Sequence, residues 1–592
     1  MLKLSGKTIE SLYLKNKTIN KAYVNGKLIF NKTKLTKPYY CEVEYLESTG
    51  TQFIDTDVYS KDINYIEVEA QYTKINARQV LLGCYTSLAW NTFGATNVTS
   101  VYQNFFIQWI NAGDYGGSVV CDTNKHLFVF DKKSKKFSVD GSIYMLEEIY
   151  DVNDTLYMFA SHSGSTIDRQ AFARIYRVKL KNNDNLVRDY IPVLDFDMQP
   201  CLYDKVSGKL FYNQGTGSFL CGRQIHEVEY IESTGTQWID TNYIPNNNTS
   251  VEAIISGVSA NSFALSASGT WFIGARQGYL NNAFGFYYNP SNQNIYYSFG
   301  NSMPYSNYPS SLLYDNKNKF YLDNNGLYIN DNRITTTTNS SFTSPVNLSL
   351  FGLNNNGTTI SFTSFKMHSC KIFEKGILIR DYIPAVDENG KSFMFDRISH
   401  TIFDNSGTGE FLYPLVELEY IESTGTQWID SGISPTNKTK WEIKFAFTKE
   451  TTGQLMGAGH AGNYRFNLGI ESDKFRFAIG SGWTTLVETK DTDIHTWVLN
   501  SENNSGSLDD TTVISTYSSN FSTTNFNIIF CNRAVGSNYC SIKIYGSKIY
   551  DNDTLVRDFM PCLLSGEAGL WDKVNNVFYP NSGTEKFLYK IK

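Results

Sequence analysis

The stretch EYIESTGTQWID at residues 229–240 decides the reading of this chain, because it occurs three times. Residues 419–430 repeat it letter for letter, and residues 44–55 read EYLESTGTQFID. The starts lie 185 and then 190 residues apart. A second phrase keeps step: VRDYIP from Val187, IRDYIP from Ile379 and VRDFMP from Val556. A third follows each: LYDKVSGKLFYNQGTGSFL from Leu202, MFDRISHTIFDNSGTGEFL from Met394 and LWDKVNNVFYPNSGTEKFL from Leu570. One structural unit is present in three copies.

The period sets the architecture. Repeats of about 20 to 50 residues stack into solenoids, because one repeat cannot bury its own apolar face. A unit near 185 residues can, since a chain of that size removes roughly 70% of its unfolded surface on folding. The expected layout is an N-terminal module over residues 1–40 and three tandem domains over 41–223, 224–414 and 415–592. The seams at 223–227 and 414–417 are short, so the domains should form a semi-rigid rod.

Composition points to sheet. Aromatics make up 15% of the 592 residues, with 40 Tyr and 39 Phe, and there are 43 Gly but only 13 Pro. Aromatic side chains suit a pleated, half-buried surface, and Asn and Gly supply the connecting turns. Short alternating runs at 63–72, 441–447 and 475–479 come between Gly/Asn/Ser punctuation. That spacing predicts an all-β chain, an antiparallel sandwich or barrel, with little helix.

Several function classes lose support. No apolar run follows Met1-Leu2-Lys3, so no ordinary secretion signal is expected. No run of about 18 apolar residues exists, so no membrane insertion is expected. The nine cysteines are odd in number, lack a CxxC pair and do not recur at matched places, which favours free thiols over a disulfide framework. The seven histidines are isolated, without HxH or HExxH spacing, so zinc has little support. No cofactor and no nucleic-acid partner is expected.

The net charge of −6 is unevenly spread. Residues 1–37 hold nine lysines and one acid, Glu10. A basic head on an acidic body suggests docking on something acidic, although lysines also blunt exposed strand edges. The head echoes itself: Lys7-Thr8-Ile9 leads to Leu12-Tyr13-Leu14, and Lys17-Thr18-Ile19 to Ala22-Tyr23-Val24. Asn25-Gly26 between alternating segments signals a hairpin. Some 30 residues of β-meander cannot stand alone and need a partner. The head therefore reads as an attachment module.

Within the repeat, Glu-Ser-Thr-Gly-Thr signals a turn and Gln52-Phe53-Ile54-Asp55 starts a strand. Phe53 and Ile54 point to opposite faces, as do Trp238 with Ile239 and Trp428 with Ile429. Trp238 and Trp428 are read as core aromatics, with exposed platforms for sugar rings as the alternative. Arg188-Asp189-Tyr190-Ile191-Pro192 should end a strand. Leu202-Tyr203-Asp204-Lys205 and Phe211-Tyr212-Asn213 should form a hairpin that seals the sandwich, closed by Gly215-Thr216-Gly217.

The ESTGTQ-aromatic-ID pattern followed by alternating strands resembles the opening of laminin-G-like, concanavalin A-like jelly-roll domains. Taken with the lysine-rich KTI…Y…NGK head and the VRDYIP…LYDK…FYN close, the chain resembles virion proteins of tailed phages of gut bacteria, crAss-like phages included. That resemblance implies three jelly rolls serving as a head or tail fibre or as capsid decoration. It implies a virion location, attachment to capsid or tail proteins through the N-terminus, contact with host glycans, and homo-oligomers (dimers or trimers). It supplies no catalytic residue.

A jelly-roll enzyme is one rival reading. A family of jelly-roll glucanases uses Glu-x-Asp-x-x-Glu on a bulged strand, and Glu42-Glu44-Glu47, Glu227-Glu229-Glu232 and Glu417-Glu419-Glu422 match its spacing. A retaining mechanism needs carboxyls about 5–5.5 Å apart. On a plain strand Glu42 and Glu44 share a face about 7 Å apart and Glu47 points away. The central acid is Glu, the motif opens each unit, and a turn follows at once, so no catalytic residue is assigned. A calcium site on Asp55, Asp240, Asp430 or on Asp204, Asp396, Asp572 lacks EF-hand spacing. Turn capping, or ion pairs with Arg188, Arg380 and Arg557, is the preferred reading. The rival functions are a polysaccharide depolymerase and a bacterial surface adhesin. Ligand specificity, if present, is expected in the variable middles at 88–117, 262–304 and 453–484.

Overall fold

The computed structural model describes residues 37–592 apart from 76–77, 88, 100–101, 111–114, 264–268, 279–281, 302–307, 315, 337–340, 449–452, 459–464, 490, 518–527 and 531–539; before residue 37 it describes strands only. The chain divides into two compact units, Met1–Ile225 with Ser399–Thr401, and His226–Ile398 with Ile402–Lys592. Among the described residues, helix is confined to single 3-10 turns at Ser60–Asp62, Ala260–Phe263 and Ser310–Leu313. The chain is all-β, as composition and punctuation predict, and it is a tandem of jelly-roll sandwiches, as the resemblance implies. None of the described helices is long and apolar enough to cross a membrane.

The first copy, in the first unit, is a two-sheet sandwich. In the larger sheet, strand Tyr65–Tyr72 lies antiparallel between Lys125–Asp131 and Phe172–Asn182. Its residues alternate half-buried and buried, so Ile66, Val68, Ala70 and Tyr72 face inward. The smaller sheet runs Tyr115–Val120, Tyr102–Ile110, Trp90–Thr99, Gln79–Tyr85, Thr155–Met158, Ile54–Tyr59. It supplies Leu82, Phe93, Phe105, Ile107 and Trp109 to the same core. Period-two burial on one strand and near-continuous burial on Gln79–Tyr85 are what a sandwich with one wet face and covered inner strands demands.

The second unit holds the other two copies on the same plan. Thr249–Ser256 lies between Asn318–Asp323 and Phe365–Glu374. Thr439–Phe447 lies between His495–Asn500 and Ile542–Asp551. The pairing of each central strand shifts register at the same place: after Glu69, after Ile254 and after Lys444. A bulge kept in all three copies is a feature of the scaffold. The copies differ in detail, since Thr270–Arg276 pairs parallel with Leu353–Asn355 in the second.

The apolar core of the second unit runs unbroken from one copy to the next, through Phe411 and Tyr413 to Leu418. Tyr413 Oη accepts a hydrogen bond from the Gly566 N–H (2.8 Å) and donates one to the Gly390 carbonyl (3.0 Å). The seam at 414–417 is therefore clamped on both sides.

In the N-terminal residues, Lys3–Leu4 pairs with Lys7–Thr8, Leu12–Leu14 with Lys17–Ile19, and Lys21–Val24 with Lys27–Asn31. Val24 stands opposite Lys27, as a turn at Asn25-Gly26 requires; that dipeptide itself lies outside the described residues. Eight cysteines are described and all are free thiols, six of them buried. Cys531 lies outside the described residues.

Candidate functional site

The triplicated phrases meet in space. In the first copy Gln52 is buried, and its Oε1 accepts hydrogen bonds from the Thr49 N–H (2.8 Å) and from Ser48 Oγ (3.2 Å). Its Nε2 donates to the Ser218 carbonyl (3.1 Å), more than 160 residues away. Thr51 Oγ1 donates to the Thr216 carbonyl, and Asn213 Oδ1 accepts from the N–H groups of Phe53 and Gly215. The second copy repeats these bonds with Gln237, Thr236 and Asn405, and the third with Gln427, Thr426 and Asn581. The opening phrase and the closing phrase are two halves of one clasp.

The clasp explains why one glycine is kept. A Cβ on Gly215, Gly407 or Gly583 would stand 2.0–2.1 Å from the carbonyl oxygen of Thr51, Thr236 or Thr426. The same glycines lie against the ring edges of Phe53, Trp238 and Trp428. These aromatics are half-buried, with one edge sealed by the closing turn. Phe53 also stacks on Tyr157 (5.5 Å), and Trp238 packs against the core of its copy, which favours the core reading for these two.

The repeated aspartates are turn caps. Asp204, Asp396 and Asp572 are fully buried. Each accepts a bond from the N–H of the residue after the repeated arginine, at 2.8–3.0 Å, and from the N–H two residues on, at 3.0–3.1 Å. Arg188, Arg380 and Arg557 lie 3.5–3.6 Å from the second carboxylate oxygen. Asp55, Asp240 and Asp430 each accept from the N–H two residues ahead, at 2.8 Å. Those residues, Asp57, Asn242 and Gly432, all have left-handed backbone. Among the described residues none of these aspartates belongs to a group of three His, Cys, Asp or Glu side chains that could hold a metal ion.

The glutamate trios do not converge on one point. Glu47, Glu232 and Glu422 stand directly across the strand pair from Arg174, Lys366 and Lys543. Each of those cations also lies over a tyrosine ring, of Tyr45, Tyr230 or Tyr420, at 4.3–4.4 Å. Glu227 pairs with Arg397, Glu229 with Lys317, Glu417 with Lys592 and Glu419 with Lys590. Glu42 accepts a bond from Tyr39 Oη at 2.9 Å, and the Glu44 N–H donates to the Arg223 carbonyl. The hydrogen bond from Lys592, with that lysine's charge, outweighs burial and holds the Glu417 carboxyl below its usual range. A general acid needs the opposite shift.

Part of what differs between copies lies on the outer faces. In the third copy a groove of about 450 Å³ opens over Gly546, lined by Glu442, Lys444, Tyr545, Lys548, Asp558 and Lys573 among others. A cleft of about 700 Å³ between the second and third copies is lined by Glu388, Glu567, Glu585 and Tyr589 among others. The first and third copies also hold a histidine between two aspartates. His126 meets Asp122 (2.8 Å) and Asp140 (2.6 Å), and His495 meets Asp491 (2.8 Å) and Asp509 (2.5 Å). In the second copy Asn318 and Asn330 bond at the same place. Sequence reasoning passed over these triads, although Asp122–His126 and Asp491–His495 share one spacing.

Compared by sequence, the chain matches no family model and no curated protein. Solved structures similar to it include the LG1-3 region of the laminin alpha2 chain, at 10% identity and a TM-score of 0.24, covering 93% of this chain and 99% of that one. Domains LG4-5 of the mouse laminin alpha1 chain align at 13% identity and a TM-score of 0.23, over 61% of this chain and 94% of that one.

Proposed function

We propose that the protein is a structural, non-enzymatic component of a phage virion, a fibre or decoration protein. Its N-terminal residues hold it to capsid or tail proteins, and its three sandwiches make weak, multivalent contact with a host surface or its glycans. The observation that carries this reading is where the identical residues go. Glutamine, threonine, asparagine and glycine of the clasp, and aspartate and arginine of the hairpin, are bonded within each copy. What was copied is a scaffold, and outward positions diverge: Glu69, Ile254 and Lys444 occupy one site. Three linked weak sites raise avidity by roughly 10² to 10⁴ without new contacts. The head sequence and the opening and closing phrases supply the virion part of the reading by their resemblance to phage proteins.

Deletion of residues 1–37 tests it. The shortened protein is expected to keep its β-type circular dichroism and its cooperative unfolding while failing to enter particles. Entry at the normal level without the head would remove the anchoring role.

A further inference from the structure

The three copies act as internal controls for one another, and one position stands out. In the first copy Arg177 lies on the outer face of the large sheet and grips Asp189 with two hydrogen bonds, Nε to Oδ1 at 2.8 Å and Nη2 to Oδ2 at 2.7 Å. Both side chains are nearly buried, at 11% and 8% exposure. Strand pairing fixes the equivalents. Arg177 stands across from Glu69, Ser369 from Ile254, and Gly546 from Lys444. Lys179 stands across from Asp189, and Lys548 from Asp558. Lys371 likewise stands across from Asp381 in the second copy, so both later copies keep the acid and lack the arginine; the second has Ser369 in its place and the third has no side chain there at all.

The consequence is a vacancy. A Cβ on Gly546 would meet only the Phe559 carbonyl oxygen, at 3.3 Å. The groove of about 450 Å³ occupies that space, with Asp558 on its wall and Tyr545, Phe559, Met560 and Pro561 along it. We propose that this groove of the third copy binds an arginine side chain presented by another protein, with its guanidinium paired to Asp558 where Arg177 pairs with Asp189. The rim lysines do not forbid it. Lys548 and Lys573 match Lys179 and Lys205, which accompany the Arg177–Asp189 pair, Lys444 is exposed, and Lys592 is paired with Glu417 at 2.9 Å. A fork of N–H donors meeting a half-buried carboxylate is the geometry that selects arginine over lysine.

The test uses the full chain with acetyl-arginine-amide as probe and its citrulline and lysine counterparts as controls, read by saturation-transfer NMR. Citrulline keeps the shape but loses the charge. The expected result is saturation of the arginine side-chain methylenes, with citrulline roughly tenfold or more weaker, and loss of the signal in Asp558→Asn. Equal binding of citrulline, which needs no variant, would overturn the proposal. So would unchanged arginine binding in a folded Asp558→Asn chain, or the absence of any saturation.

Discussion

At the scale of single residues, the most repeated side chains serve the fold and the least repeated ones carry the differences between copies. The histidine triads show this best. Burial alone would lower the imidazole pKa of His126, but the hydrogen bonds it donates to Asp122 and Asp140 outweigh burial and raise it above its ordinary value. His495 is raised in the same way by Asp509 and Asp491. Stability from these sites is complete below the unfolded imidazole pKa and is lost as pH rises through the higher folded value. Asp122 and Asp491 are shifted down by their histidines, Asp122 against the opposing effect of burial, so their share is lost at the acid end. The second copy, with Asn318 and Asn330, has no such dependence at this place. Replacing His126 and His495 together by Asn should flatten the fall in thermal midpoint as pH rises above about 6.5. Parallel curves for wild type and double variant would show that the triads contribute nothing.

At the scale of elements, the clasp and the seam do the joining. Most strands were legible in the sequence: alternation over 63–72 and 441–447 appears as central strands with alternating burial. The strand end expected at Pro192 was not, since strand Asn185–Leu194 stays paired for two residues beyond the proline. The hairpin after each RDYIP phrase was legible too, because aspartate before a turn has a local role. The clasp was not, since Gln52 and Ser218 are joined only through tertiary structure. The signal was present, because ESTGTQ and N-x-G-T recur together in every copy. The Gly546 groove was hidden for another reason: it appears only when bulge and register align Gly546 with Arg177. At the seam, Tyr413→Phe removes two hydrogen bonds and leaves the Gly566 N–H and the Gly390 carbonyl without that partner. The expected cost is about 1–3 kcal/mol in denaturant unfolding of the second unit. A change within about 0.5 kcal/mol would mean that core continuity alone holds the seam.

At the scale of the whole molecule, one closed module occurs three times, and each copy is closed by its own clasp. The phrases at 44–55 and 213–219, and their two counterparts, are halves of one structural lock. Hydrogen–deuterium exchange on the wild type and on Gly215→Ala measures this directly. A Cβ at Gly215 collides with the Thr51 carbonyl, so both halves of the first clasp should lose protection together while the clasps at 229–240 and 419–430 stay protected. Loss confined to the turn around residue 215, with 44–55 still slow to exchange, would contradict the account.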